Sequence, residues 1–246
     1  MVWLEDAELS PGAAGPFDRW LTPRRELFWR VGDRAIDGPV AKLGGQPFWL
    51  DEPFWPVSGT SGAAMTFVGQ FPLPGPDTRM AYLFLSDEDG TFLAEGWENA
   101  LLVQPGGRVP GFVRGEARRS GPSLWRRGAS WEDRVPAELS LDLRDPDPAD
   151  AAAFERAAAF QRAARGGLPE PDDDAYVEWR SYVGGEPILW QPWTSEVLDD
   201  SWRFFFQLDG SDGWGGNPFT LNFGGGTGYA FLSEDLREGR FYWDCV

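Results

Sequence analysis

Histidine is absent from all 246 residues, cysteine occurs only at Cys245 and lysine only at Lys42. Without histidine there is no Ser-His-Asp triad, no Cys-His dyad, no ordinary zinc site and no imidazole base near neutral pH. A single cysteine forms no internal disulfide and no thiolate metal cluster within the chain, which agrees with a reducing compartment. Long hydrophobic runs are also missing. Nothing approaches the ~18 to 20 residues of a membrane span, and Met1-Val2-Trp3-Leu4-Glu5-Asp6 lacks the basic, apolar, small-residue order of a signal peptide. The expected address is therefore the cytoplasm, with no membrane partner. Positive charge is scarce: 22 bases stand against 39 acids, a formal charge of −17. Arg118-Arg119 and Arg126-Arg127 make only a thin basic patch, so nucleic acid is an unexpected ligand, whereas a basic protein would be steered in.

Aromatic side chains are plentiful, at 15% of residues with 14 Trp and 18 Phe, which supplies a globular core. The chain also repeats itself. Lys42-Leu43-Gly44-Gly45-Gln46-Pro47-Phe48 returns from Tyr182 as Tyr-Val-Gly-Gly-Glu-Pro-Ile. Phe67-Val68-Gly69-Gln70-Phe71 returns from Phe204, and Tyr82-Leu83-Phe84-Leu85-Ser86 from Tyr229. The order is kept while the offsets, 42 to 182, 67 to 204 and 82 to 229, change, as in a duplicated fold whose loops have drifted in length.

Residues 1–38 read as an N-terminal extension, with a short helix expected over Arg24 to Arg30 after Pro23. From Pro39 onward, apolar runs alternate with turn residues and predict strands at Pro47–Leu50, Met65–Phe71, Met80–Ser86, Thr91–Ala94, Leu101–Gln104 and Gly111–Arg114. Leu139, Leu141 and Leu143 alternate with Ser140 and Asp142, as in a strand with one wet face. Asp147 before Pro148 predicts a capped helix over 148–165, closed by Gly166-Gly167. The expected fold is mainly β (α+β): internally duplicated antiparallel β halves, 39–144 and 175–246, packed as one globule in a single domain 39–246, with one linking helix.

Candidate site residues come from polar groups in apolar or turn settings. Gln70 and Gln207 occupy matching places inside apolar runs. They are either buried amides stitching the halves together or the lining of a shared pocket, with Gln70 expected near Gln207. Asp209 and Asp212, like Asp87, Glu88 and Asp89, have the oxygen density of a calcium loop, but no Glu stands at the twelfth position and turn aspartates account for them. Trp214, with Trp49, Trp55, Trp190 and Trp193, could stack on a sugar beside a carboxylate pair, although large aromatics at strand spacing more often build core. The paired glycines before Pro47 and Pro187 lack a phosphate-loop pattern and read as close backbone approaches. No catalytic residue, metal ligand or cofactor site is assigned.

Several of these segments carry a family resemblance. Lys42 to Leu50 followed by Phe54-Trp55-Pro56, Met65 to Phe71 followed by Pro72-Leu73-Pro74-Gly75, Phe205 to Asp209, and Gly228 to Phe231 with Gly239 to Cys245 resemble the YwqG-like family, a bacterial domain family of unknown function. The resemblance spans about 39–246 and departs at Asp244, where an amide is expected, and at Gly69, where alanine is commoner. It implies a duplicated, mostly β protein and supplies no activity or catalytic residue. Members can lie near secreted, polymorphic toxin systems, so by association it points to an immunity or accessory role. The functional expectation is a non-enzymatic cytoplasmic binding protein for a basic partner. The alternative is a small-ligand or carbohydrate site between the halves, with carboxylate-based hydrolysis.

Overall fold

The computed structural model describes residues 20–31, 35–130, 133–165, 181–189, 198–210, 221, 223 and 226–245. Ten strands form one antiparallel sheet: β1 (Arg25–Val31), β2 (Lys42–Gly44), β4 (Thr66–Pro72), β5 (Met80–Leu85), β6 (Asn99–Gln104), β10 (Glu138–Arg144), β11 (Tyr182–Val183), β12 (Trp202–Asp209), β13 (Thr227–Ser233) and β14 (Gly239–Asp244). Two small ribbons, β3 (Trp55–Val57) with β7 (Arg114–Glu116) and β8 (Trp125–Arg127) with β9 (Arg134–Pro136), and the helix α1 (Pro148–Arg165) complete the described elements. The helix has the bounds and cap that the sequence predicts, since Asp147 Oδ1 accepts from Ala149 N and Asp150 N at 2.8 and 2.9 Å.

The sheet order, β14-β13-β12-β11-β1-β10-β2-β4-β5-β6, reads alike from either end. Outward from the central β1–β10 pair, β10-β2-β4-β5-β6 matches β1-β11-β12-β13-β14. The register matches as well. Gln70 faces Lys42 and Tyr82, while Gln207 faces Tyr182 and Tyr229. Both β4 and β12 have a register shift, between Phe67 and Gly69 and between Phe204 and Phe206. One strand of each matching set crosses over: β1 precedes β2 but pairs with β11, and β10 precedes β11 but pairs with β2.

The expectation of a helix at Arg24 to Arg30 is therefore corrected. Leu27 points into the core while Phe28 and Arg30 take the other face, and β10 and β11 satisfy the backbone on both sides. The stretch read as an extension thus supplies a central strand. Three other strand expectations also fail. Pro47–Leu50 runs on without strand structure after β2, Thr91–Ala94 lies in the loop between β5 and β6, leaving Asn99–Gln104 to pair with β5, and of Gly111–Arg114 only Arg114 is strand, as the first residue of β7.

The sheet curls until its ends, β6 and β14, lie side by side. A Cβ on Gly239 would come within 2.5 Å of Leu101 O, so glycine permits that approach. Arg108 N donates to Arg237 O at 2.6 Å, and Arg79 Nη2 to Leu236 O at 2.7 Å, which closes the seam near one end. The barrel interior draws on both halves: Leu43, Phe71, Leu83 and Leu101 meet Phe206, Leu208, Leu232 and Phe241, and Phe71 stacks on Phe206 at 4.0 Å. Two further clusters pad the outside. Trp55, Phe67, Tyr82 and Phe84 pack over the first half, and α1 lays Phe154, Ala157 and Ala158 against Tyr182, Phe204, Tyr229 and Phe231 over the second. With a packed layer on each face, β5 and β6 are buried throughout, which explains their unbroken apolar runs.

Candidate functional site

Gln70 is fully buried and satisfied. Its Oε1 accepts from Phe48 N at 2.8 Å and its Nε2 donates to Gly38 O and Val40 O, both at 2.9 Å. Gln207 Oε1 accepts from Ile188 N at 3.2 Å, the matching bond of the second half. Tyr82 and Tyr229 repeat the parallel, donating to Phe48 O at 2.7 Å and Ile188 O at 3.0 Å. Residues directly opposite on paired strands share a face, so Gln70 lies with Tyr82 under the first outer pad and Gln207 with Tyr182 and Tyr229 under α1. Four strands separate β4 from β12 in the sheet. The two amides anchor separate loops and do not line a common pocket, so the expected juxtaposition does not occur. Asp209 ends β12, where its N–H donates to Ser181 Oγ at 2.8 Å. Asp212 and Trp214 lie outside the described residues, as do Trp190 and Trp193.

Of the described tryptophans expected near a sugar, Trp55 is core and Trp49 packs half-buried against it. Trp55 is fully buried, and Trp49 stacks against Phe84 at 6.1 Å while its Nε1 donates to Arg119 O at 2.9 Å. The paired glycines are close approaches, as expected. Gly44 and Gly184 have φ of 68° and 70°, and a Cβ would stand 1.9 Å from Ala137 O at Gly44 and 2.3 Å from Thr22 O at Gly184. They end strands β2 and β11 rather than beginning new ones.

A cavity of about 660 Å³ lies beside the β2–β10 junction, lined by Ile36, Lys42, Pro47, Phe48, Ser123 and Glu138 among others. Lys42, the lone lysine, is 2% exposed there; its Nζ donates to Glu138 Oε1 at 2.8 Å and to Ile36 O at 2.7 Å. Glu138 Oε1 also accepts from Ile36 N at 3.1 Å, so the pair clamps the chain that leads into β2. A second cavity of about 370 Å³ occupies the matching corner of the other half, beside Gly185. There Arg24, one step beyond the Arg25–Val183 pair, takes the place of Glu138 and Tyr182 that of Lys42. The Arg24 guanidinium lies 3.9 Å from the Phe154 ring centroid and 5.1 Å from that of Tyr182. Glu186 in this cavity is bound by Arg162. Matching positions of the sheet thus carry an ion pair on one side and a cation over rings on the other.

In the two cavities Glu138 is paired with Lys42 and Glu186 with Arg162, while Asp37 lines the first and Glu155 the second. Burial raises the phenols of Tyr82 and Tyr182 well above their ordinary range, so neither exchanges a proton near neutral pH. Among the described residues, no group of three or more Cys, Asp or Glu could hold a metal ion, and no helix is long and apolar enough to cross a membrane.

The acids spread over the exterior instead. Asp77, Asp89, Glu95, Glu155, Asp200 and Glu234 are exposed on loops and helix around the barrel. Comparison with family models, curated proteins and solved structures finds no match in any of the three. The sequence reading missed the Lys42–Glu138 clamp; the one signal for it was a single lysine in a chain that otherwise uses arginine.

Proposed function

We propose that this chain is a non-enzymatic, cytoplasmic binding protein whose acidic exterior engages a basic protein, in an immunity or accessory role. YwqG-like kinship and descent of the two halves from one duplicated unit belong to the same proposal. The recurrence of register, bulge, glycine pair and buried amide supports the duplication.

The observation that carries the functional reading is the dispersal of acid over the outer surface, while Glu138 and Glu186 in the two cavities are each held by a cation. A dispersed negative field accelerates encounter with a basic partner and provides no converging catalytic pair. The test is capture by the immobilised protein from its native host, with a salt titration and identification of what elutes. The reading expects a basic protein released as salt rises, because screening shortens the reach of surface charge. Capture of nothing, or of a partner indifferent to salt, overturns it.

A second reading, a small-ligand site, is favoured by the Lys42 cavity, where Ser123 Oγ is buried without a hydrogen-bond partner. Saturation-transfer NMR with simple mono- and disaccharides tests its carbohydrate form. Signal that disappears in a Phe48→Ala variant supports it, and no signal removes it.

A further inference from the structure

The loop of residues 86–98, between β5 and β6, combines two properties that oppose one another in an ordinary surface loop. It is tightly fixed, and it holds large apolar side chains out in water. Ser86 N donates to Glu98 O at 2.9 Å across its base, and Leu93 N to Gly90 O and Gly96 N to Leu93 O, each at 3.1 Å, fold its tip into two turns. Asn99, itself buried, donates from Nδ2 to Thr91 O at 2.9 Å and to Leu93 O at 2.8 Å. From β14, Trp243 Nε1 donates to Thr91 Oγ1 at 2.9 Å and Arg240 Nε to Glu95 Oε1 at 3.0 Å. Thr60 N, from a neighbouring loop, donates to Glu98 Oε1 at 3.0 Å.

Despite this fastening, Leu93 is 50% and Trp97 57% exposed, and Phe92, whose ring meets that of Trp243 edge-on at 5.9 Å, still leaves 48% of its surface exposed. A loop that needed these side chains only for its own packing would turn them inward, as it does Thr91 and Ala94. Acids share the loop with them: Asp87, Glu88, Asp89 and Glu95. Arg134 pairs with Asp87 and Arg240 with Glu95, while among the described residues Glu88 and Asp89 carry no ion pair.

We propose that this loop is the docking surface for the basic partner, a protein segment that presents Lys or Arg around one or two large apolar side chains. The inference rests on the binding reading above and names its site. Aromatic anchors on a preorganised loop lose little freedom on binding, and unpaired acids at the rim match a basic segment. The same acids repel an anionic lipid surface.

The probe is a fluorescently labelled synthetic peptide alternating Lys with Leu and Trp, titrated with the full chain and followed by anisotropy at low and high salt. Phe92→Ser/Trp97→Ser is expected to weaken binding by about tenfold or more. Glu88→Gln/Asp89→Asn should weaken it less and flatten its salt dependence. Val31→Ser, an exposed apolar position on β1, which three strands separate from β5, should leave it unchanged. A peptide with Ser in place of Leu and Trp should bind as weakly to the wild type as to the Phe92/Trp97 variant. Circular dichroism and thermal melting of each variant separate a lost contact from a lost fold, and the rim variant keeps the test alive if the anchor variant fails to fold.

Equal binding by wild type and the folded anchor variant overturns the docking surface while leaving the binding reading intact. Failure of the wild type to bind any basic peptide, together with no salt-released partner from the host, overturns both. Binding of phosphatidylserine-containing vesicles through Phe92 and Trp97 replaces the protein partner with a membrane and also overturns the proposal.

Discussion

Removal of the Lys42 ammonium is the sharpest test of how this fold is held. Lys42 is almost wholly buried, and its side chain has two acceptors, Glu138 Oε1 at 2.8 Å and Ile36 O at 2.7 Å. Lys42→Met keeps the buried stem and deletes the charge. Stranding one partner of a fully buried pair costs about 3–5 kcal/mol. Glu138 retains 20% side-chain exposure toward the cavity, so water recovers part of that, and about 2–3 kcal/mol is expected. Glu138→Gln should cost a similar amount, because it leaves the ammonium buried without a countercharge. The double variant strands neither charge; only Ile36 O loses a donor, so it should cost no more than about 2 kcal/mol. The resulting coupling is at least about 2 kcal/mol, toward the upper end for residues in contact. Urea denaturation followed by tryptophan fluorescence reads it as midpoint shifts at constant slope, and melting should show each single variant lower by about 5–10 °C for a chain of this size. Single variants within about 0.5 kcal/mol of wild type, or additive effects in the double, would refute the clamp.

Three further outcomes follow from the same coordinates. Gly44→Ala should cost at least about 3 kcal/mol or abolish folding, because its Cβ meets Ala137 O. Gly62→Ala, with φ of 73° and nothing within 4 Å, should cost only about 1 kcal/mol for the left-handed backbone; comparing their denaturation midpoints checks both. Asp147→Ala should lose about 1 kcal/mol with the two N-cap bonds of α1, measured by urea midpoint. Burial raises the Asp244 carboxyl above its ordinary value, outweighing its bond from Cys245 N. A raised folded-state value favours the protonated form, so stability is greatest below the unfolded-state value and falls as pH rises through the folded one. Asp244→Asn, which keeps an acceptor for Cys245 N, should therefore melt higher than wild type at pH 7 and no higher at pH 3. An equal difference at both values would remove titration as the cause.

The sequence by itself determined the local elements whose cause is local. The leucines of 139–143 alternate because one face of β10 meets the barrel interior, and the helix starts at Pro148 because Asp147 caps it. The repeated blocks were legible because each carries the same short-range instructions: a glycine pair, an amide and a tyrosine that bind one loop in each half. What lies between sequence-distant residues was not legible. Arg24 to Arg30 is strand because β10 and β11 bond it from both sides, a tertiary contribution that outweighs the helical preference of its arginines and leucine. Gln70 and Gln207 look like partners on paper, yet barrel closure turns their side chains outward beneath separate pads while Phe71 and Phe206 meet inside. The Lys42–Glu138 clamp spans 96 positions, and composition alone does not tell the exposed Trp97 from the buried Trp55. Periodicity fixes which face a residue takes within its own strand; only closure of the sheet decides what that face meets.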